Sequence, residues 1–376
     1  MLSIGQIYLQ KSEEQVRMCA DLSLNGRGMT LWFGVDPSQQ RYLCDTRSDA
    51  FVMALLPTAM RGGYDIVCHT PISSRLKYQL EYYLIPALTA KGDWYHPIKI
   101  QAPMEDKPVP NAGGVGLGFS GGVDCSYSLM THGADSAYPV THLAVFNLGV
   151  FEGETAGSSF RNACKNTGVF AREQGLELVG LDSNINDVLP ERYLDVYSFR
   201  NLSGALALQG LFSVYLLSSG HDSAGFALDV HNAARFDLLT VHCAQTESMK
   251  VYLSGSQIKR CDKLVALADW EPAQKWLHPC FHTGIGKKNC GRCHKCAWDL
   301  IVLYALGKLD CFRQVFDVET FRRELPVRLG FILSKREDRL SNEAIQFLES
   351  RGVPIPEAAY VYAEQFSKAN QRLKQS

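Results

Sequence analysis

The stretch that most restricts the architecture is an apolar run at Val115–Phe119 (VGLGF) that passes without a break into Ser120, Gly121, Gly122, Val123, Asp124, Cys125 and Ser126. The run has strand character, the two glycines make a turn, and a helical pattern follows until His132-Gly133. A strand that turns through glycine directly into a helix sends the chain back across the sheet, which builds a parallel sheet with crossover helices. The alternation continues: strands are expected at 141–147 and 176–181, helices at 158–174 and 202–217, and ALDVH (227–231) is a further strand candidate.

A smaller α/β unit is expected ahead of this run. MTLWFGV (29–35), YDIVCH (64–69) and PIKIQ (97–101) have strand composition. Thr46–Asp49 supplies helix-starting residues for AFVMALLPTAM, which ends at Gly62-Gly63, and Pro57 predicts a kink or an early stop. A second helix is expected from Ile72 to Lys91, kinked by Pro86. The segment MEDKPVPNAGG (104–114), rich in proline, charge and glycine, reads as a linker. The expected divisions are an N-terminal unit 1–105, a linker 106–114, a nucleotide-type domain 115–270, a cysteine knuckle 271–310 and a helical tail 311–376.

Formal net charge is −1 over 376 residues, so no global field draws the chain to nucleic acid or an anionic surface. No stretch approaches the roughly 20 apolar residues of a membrane span, and the N-terminus lacks the pattern of a secretory signal. A cytoplasmic location is therefore expected. Eight of the twelve cysteines are scattered, and four fall close together at 280, 290, 293 and 296. In a chain of this size without export signals, such a cluster points to metal.

Consecutive glycines let several backbone N–H groups face one ligand, and the following helix N-terminus favours an anion. The segment therefore suits phosphate, with Ser120 and Ser126 as hydroxyl donors and Asp124 as holder of a Mg²⁺ on the phosphates. The Gly-Lys-Ser/Thr ending of a Walker A loop is missing, so cleavage at the γ-phosphate is not implied. Cys125, at the start of the helix, is a candidate nucleophile activated by the helix terminus.

Cys280, Cys290, Cys293 and Cys296 run as Cys-x9-Cys-x2-Cys-x2-Cys. Four thiolates at such spacing complete a closed tetrahedral shell, a structural rather than a catalytic site. Zinc is expected; three close thiolates also suit an iron–sulfur cluster, and His278, His282 or His294 lies near enough to replace Cys280.

The glycine loop resembles the SGGxDS loop of the PP-loop ATP pyrophosphatases. Together with the cysteine quartet it resembles the QueC family of 7-cyano-7-deazaguanine synthases over roughly residues 113–305. The family's loop falls on Ser120, Gly121, Gly122 and Asp124, with Cys125 at the serine position, and its zinc ligands fall on the four cysteines. The resemblance implies a PP-loop α/β fold and ATP contacts along Ser120–Ser126, including Val123. It also implies adenylation of a 7-carboxy-7-deazaguanine-type carboxylate, releasing AMP and pyrophosphate before an amine attacks to give an amide or nitrile. Residues before the loop and the tail 311–376 lie outside the family pattern, as in QueC-like components of type IV CBASS anti-phage systems. That likeness implies an alternative acceptor, an amine of a protein partner in place of ammonia, and a homodimer or a complex with a partner protein is expected.

Lys250, Lys259, Arg260 and Lys263 form a basic cluster, read either as a solvated face or, for Arg260 and Lys263, as cations that neutralise departing pyrophosphate. Arg200 and Asn201 lie at a helix start, and His221, Asp222 and His231 lie near expected strand ends; core or surface roles weigh more for each. A tRNA-thiolating enzyme using Cys125 and a non-catalytic nucleotide-binding subunit are the competing readings.

Overall fold

A computed structural model describes every residue except Lys91, Asp93 and Ser376. The strands of its main sheet are β1 (Leu2–Lys11), β2 (Val16–Leu24), β3 (Arg27–Val35), β4 (Ile66–Cys68), β5 (Ile100–Gln101), β6 (Gly114–Gly118), β7 (His142–Phe146), β8 (Glu177–Ser183), β9 (Phe212–Ser218) and β10 (Lys250–Ser254). They lie in the order β10-β9-β6-β7-β8-β3-β2-β1-β4-β5. The run from β10 to β8 is parallel, as the strand–helix alternation predicts. The helices used below are α1 (Asp49–Gly62), α2 (Val123–Thr131), α3 (Ala156–Glu173), α4 (Tyr197–Ala207), α5 (Arg260–Leu267), α6 (His294–Ala305), α7 (Leu325–Leu333), α8 (Arg339–Ser350) and α9 (Glu357–Gln375).

Two compact units result, and neither is continuous in sequence: Met1–Phe119 with His132–Ser256, and Ser120–Thr131 with Gln257–Ser376. The first contains the whole sheet around one apolar core that runs from Leu2 to Val251. The expected boundary at 105 therefore crosses a shared sheet. Only Asp182↔Gly34 and Ser183↔Phe33 pair in the antiparallel joint of β8 and β3, and side chains extend it. Ser183 Oγ donates to Trp32 O (2.6 Å), Asn184 Nδ2 to Thr30 O (2.8 Å), and the Trp32 amide to Asn184 Oδ1 (3.0 Å). The expected linker is pinned as well: the Val109 amide donates to Ser248 Oγ, and that of Ala112 to Gly210 O at 3.0 Å.

Other expectations shift for physical reasons. β1 and β2 were not expected; β2 turns into β3 through Asn25-Gly26, both at positive φ (52° and 82°), the two-residue turn that suits strand twist. Helix α1 ends on left-handed Gly63 as expected, but Pro57 does not stop it, because every residue from Asp49 to Pro57 is buried and α1 packs on α4. That burial outweighs one missing backbone bond. The expected helix at 72–91 begins at Ser74 and absorbs Pro86 by a π turn over Leu80–Leu84; its expected end at Lys91 lies outside the described residues. The helix expected at 202–217 is two elements, α4 and strand β9, separated at Gly210. A side chain there would stand 2.9 Å from Tyr42 O. Residues 227–231 form no strand; the partner of β9 is β10.

In the second unit, Val123 and Tyr127 of α2 share an apolar core with Leu264 of α5, Trp298 and Ile301 of α6, Leu329 of α7, Ala344 and Ile345 of α8 and Ala359 of α9. The knuckle and the helical tail thus form one body with the glycine loop, not a separate domain and an appendage. No described helix is long and apolar enough to cross a membrane.

Candidate functional site

The glycine loop is built into the second unit from both sides. Gly121 has φ +79°, and a side chain there would stand 2.8 Å from Ile285 Cδ1 and 3.1 Å from His278 Cβ. Its carbonyl accepts from the His278 amide at 2.7 Å, so the segment before and within the cysteine knuckle clamps the turn. Gly122 differs: a side chain there would meet only Ser120 Oγ, at 3.5 Å. No protein atom demands glycine at 122, whereas a ligand approaching the backbone would.

Cys125 fills the inside of the turn. Its buried thiol donates to Gly122 O (3.3 Å) and accepts from the Ser120 amide (3.4 Å). Burial pushes this thiol up, against the thiolate character that a nucleophile needs. Ser120 is exposed, while Ser126 is buried and gives its amide to Gly122 O at 3.0 Å.

Asp124, in the first turn of α2, meets two cations from α5, which lies more than a hundred positions away in sequence. Arg260 Nη1 stands 2.5 Å from Oδ2 and Lys263 Nζ 3.0 Å from Oδ1. The side chains of Arg260 and Lys263 are 8% and 1% exposed, so the solvated-face reading fails for both. Lys250 and Lys259 are exposed, and Lys250 lines a separate cavity of about 330 Å³ in the first unit with Arg75, Tyr138 and Glu247. Burial works to raise the Asp124 carboxyl, but the charges of Arg260 and Lys263 prevail and hold it below its ordinary value. Each Asp124 oxygen thus lies against one cation, Arg260 on Oδ2 and Lys263 on Oδ1.

Two residues not singled out from sequence complete the charge pattern. Asp299 on α6 is fully buried, 3.6 Å from Arg260 Nη2, and neither of its oxygens has a hydrogen-bond partner among the described residues. Burial pushes it up to about 7. Lys295, also on α6, holds its ammonium 4.2 Å from the ring centre of Phe281. The Arg260 guanidinium lies over Trp298, 5.0 Å from its ring centre. Neither Asp299 nor Lys295 belongs to a recognisable motif; each becomes visible only as a neighbour, on one helix, of Cys296. Arg260, Lys263 and Lys295 thus all act on the Asp124 carboxylate, while Asp299 and Glu343 also act on Arg260.

The four cysteines converge. Their sulfurs all lie within 4.8 Å of one another, and Cys290 and Cys296 Sγ are 3.9 Å apart. A tetrahedral zinc with bonds of about 2.3 Å separates its sulfurs by roughly 3.8 Å, so the set fits a single ion. The amides of His282 and Cys290 donate to Cys280 Sγ at 3.3 and 3.5 Å, and those of Arg292 and Cys293 to Cys290 Sγ at 3.4 and 3.3 Å, which stabilises thiolates. Gly291, at φ +67°, permits the turn between them. Buried Asn289 ties the knuckle down, donating to Leu277 O (2.9 Å) and Val315 O (3.0 Å). The histidine alternatives fall away. His278 gives Nε2 to Thr283 O (2.7 Å), His294 Nε2 bonds Ser341 Oγ (2.9 Å), and the His282 ring is exposed.

In the first unit, Arg200 is buried and bound to Asn186 Oδ1 and Glu191 O, and Asn201 bonds Tyr193 and Tyr197. Asp222 caps a short turn at Gly225, His221 gives its amide to Ser219 Oγ, and the His231 ring packs edge-on against Trp94.

No protein-family model, curated protein or solved structure matches the chain.

Proposed function

We propose that this chain is an ATP pyrophosphatase that adenylates a carboxylate of the 7-carboxy-7-deazaguanine class and passes the acyl group to an amine. The observation that carries the reading is the cluster of buried Arg260 and Lys263 and half-buried Lys295 around Asp124, at the N-terminus of α2 and beside a glycine turn in which a side chain at Gly122 would meet nothing closer than Ser120 Oγ at 3.5 Å. Such an arrangement suits a polyphosphate. The loop's resemblance to the PP-loop supplies the point of cleavage, and its pairing with the cysteine quartet supplies the acid.

In this reaction a carboxylate oxygen of the acid attacks the α-phosphorus, and the bond to the bridging oxygen breaks to release pyrophosphate. The amine then attacks the acyl carbonyl, AMP leaves, and the amine proton passes to solvent. Arg260 and Lys263 counter the charge that builds on departing pyrophosphate, and Asp124 keeps both aligned until it arrives. The loop amides and exposed Ser120 hydroxyl orient the phosphates. A zinc ion held by Cys280, Cys290, Cys293 and Cys296 would contribute structure alone, since four thiolates leave no open position.

Incubation with Mg-ATP labelled at the α-phosphate, 7-carboxy-7-deazaguanine and ammonia tests the proposal. Labelled AMP with matching pyrophosphate is the expected result; acid-dependent ADP would refute it.

A further inference from the structure

The cavity of about 330 Å³ in the first unit opens at the amino ends of three neighbouring parallel strands, with Val115 from β6, Val214 from β9 and Lys250 from β10. It shares no residue with the glycine loop, which follows the other end of β6. Its size falls near the lower end of the roughly 300–1,000 Å³ of small-molecule sites. Val115 and Val214 give it an apolar lining, and Tyr138 is fixed there by stacking on Tyr252 at 5.0 Å and by a hydroxyl–hydroxyl bond of 3.1 Å. Its rim at Thr246–Ser248 is braced from inside the protein, unlike an ordinary surface turn. Thr246 Oγ1 donates to Gln209 Oε1 (2.7 Å), and Gln209 Nε2 to Asp49 Oδ2 (2.8 Å). Asp49 Oδ1 accepts from the Ser73 amide (2.8 Å), and Ser73 Oγ donates to Glu247 Oε2 (2.6 Å), which leads back to the rim. Asp49, Gln209, Ser73 and Thr246 are all buried. A closed, satisfied network of this kind holds contact groups in position before a ligand arrives.

Arg75, Lys250 and Glu247 are the charged residues that line the cavity. Glu247 has its two oxygens on uncharged donors, the Ser73 hydroxyl and the Arg75 amide (2.8 Å). The Arg75 guanidinium gives one bond to Thr246 O (3.3 Å), and neither Arg75 nor Lys250 forms an ion pair among the described residues. Two cations and one occupied carboxylate leave one positive charge in excess beside an apolar lining. We infer that this cavity binds a small organic anion: Arg75 and Lys250 take its oxyanion, and Val115, Val214 and Tyr138 take its apolar body. The inference is independent of the adenylation reading, because it uses none of the residues of the glycine loop or of the Asp124 cluster.

The probes are benzoate and phenyl phosphate, titrated separately into full-length protein carrying labelled valine methyl groups, with benzyl alcohol as the neutral ring. Methyl resonances of Val115 and Val214 report on this cavity alone, so an anion that settles elsewhere does not register. Both signals should shift with at least one of the two anions and stay in place with benzyl alcohol; the tighter anion tells a carboxylate ligand from a phosphate ester. Lys250→Met and Arg75→Met, at exposed positions, should each weaken that anion about tenfold, the loss of one charge-assisted hydrogen bond, at unchanged melting temperature. Lys250→Arg should restore binding, and Lys259→Met, an exposed lysine outside the cavity, should leave it unchanged. Wild-type Val115 and Val214 signals that respond to neither anion overturn the assignment. Affinity within twofold of wild type in both Lys250→Met and Arg75→Met does so too, as does an equal loss in Lys259→Met or an equal response to benzyl alcohol.

Discussion

Replacing Asp124 by Asn keeps the shape of the side chain and removes its charge. Two cations then lose a carboxylate in a place where solvent does not compensate them: Lys263 is 1% exposed and Arg260 8%. Breaking a buried ion pair by deleting one partner costs about 3–5 kcal/mol, because the remaining charge stays desolvated. Two pairs are broken here, at 3.0 and 2.5 Å, but Arg260 keeps the Asp299 carboxylate at 3.6 Å and the Trp298 ring beneath it. The lower end, about 3 kcal/mol, is therefore expected. Urea unfolding followed by circular dichroism should show the midpoint falling by roughly 1–3 M at unchanged slope. Adding Lys263→Met removes one orphaned charge while retaining most of its volume, so the double variant should be more stable than Asp124→Asn alone. An Asp124→Asn unfolding free energy within about 1 kcal/mol of wild type, or no recovery in the double variant, would show that these charges are solvated and would remove the case for a preformed anion site.

Cys293→Ser should lose the bound metal and much of the soluble protein, because a structural site contributes its binding free energy to folding; elemental analysis should find close to one zinc per wild-type chain. Cys125→Ser should retain or raise pyrophosphate release, since a hydroxyl can reproduce the thiol's bonds to Gly122 O and the Ser120 amide; a thioester trapped on Cys125 would contradict this. Asp237 is buried, accepts from Ser198, leaves one oxygen unbonded among the described residues and is pushed up to about 8 by burial. A carboxyl raised in the fold contributes stability below its unfolded value near 4 that is lost as pH climbs through 8. Asp237→Asn should flatten that decline by a few kcal/mol in melting curves between pH 5 and 9, and parallel curves would show that Asp237 is not responsible.

Local chemistry was readable where the chain reports on itself. The strand–glycine–helix at 115–131 and the cysteine spacing appear in the structure as elements and as a converged cluster, because each is specified by residues a few positions apart. Helix α1 announces both of its ends. The failures have a common origin in tertiary packing. Phe212–Ser218 (FSVYLLS) follows a leucine- and alanine-rich helix so closely that period alone merges them, and the break depends on Gly210 meeting the backbone of Tyr42. Asn25-Gly26 was a usable hairpin signal that the patterning of its flanks obscured. Arg260 and Lys263 read as surface charge because nothing near them in sequence shows that Asp124, 136 and 139 positions away, will cover them.

The second unit takes one piece of chain from before residue 132 and the rest from after 256. A ribosome makes these pieces in order, so Val123 and Tyr127 of α2 emerge roughly 140–180 residues before the α5 and α6 side chains that bury them. At 5–20 residues per second that interval lasts roughly 7–36 s. Throughout it the loop lacks its clamp from His278 and Ile285, and α2 carries an uncovered apolar face. Even then the knuckle is not anchored until Val315 arrives to accept from Asn289. The nascent chain therefore carries an uncovered apolar helix face for well over a third of its synthesis. The loop lacks its clamp until the last quarter of the protein is being made, so premature termination anywhere before that point yields a sheet-bearing fragment with an unclamped loop.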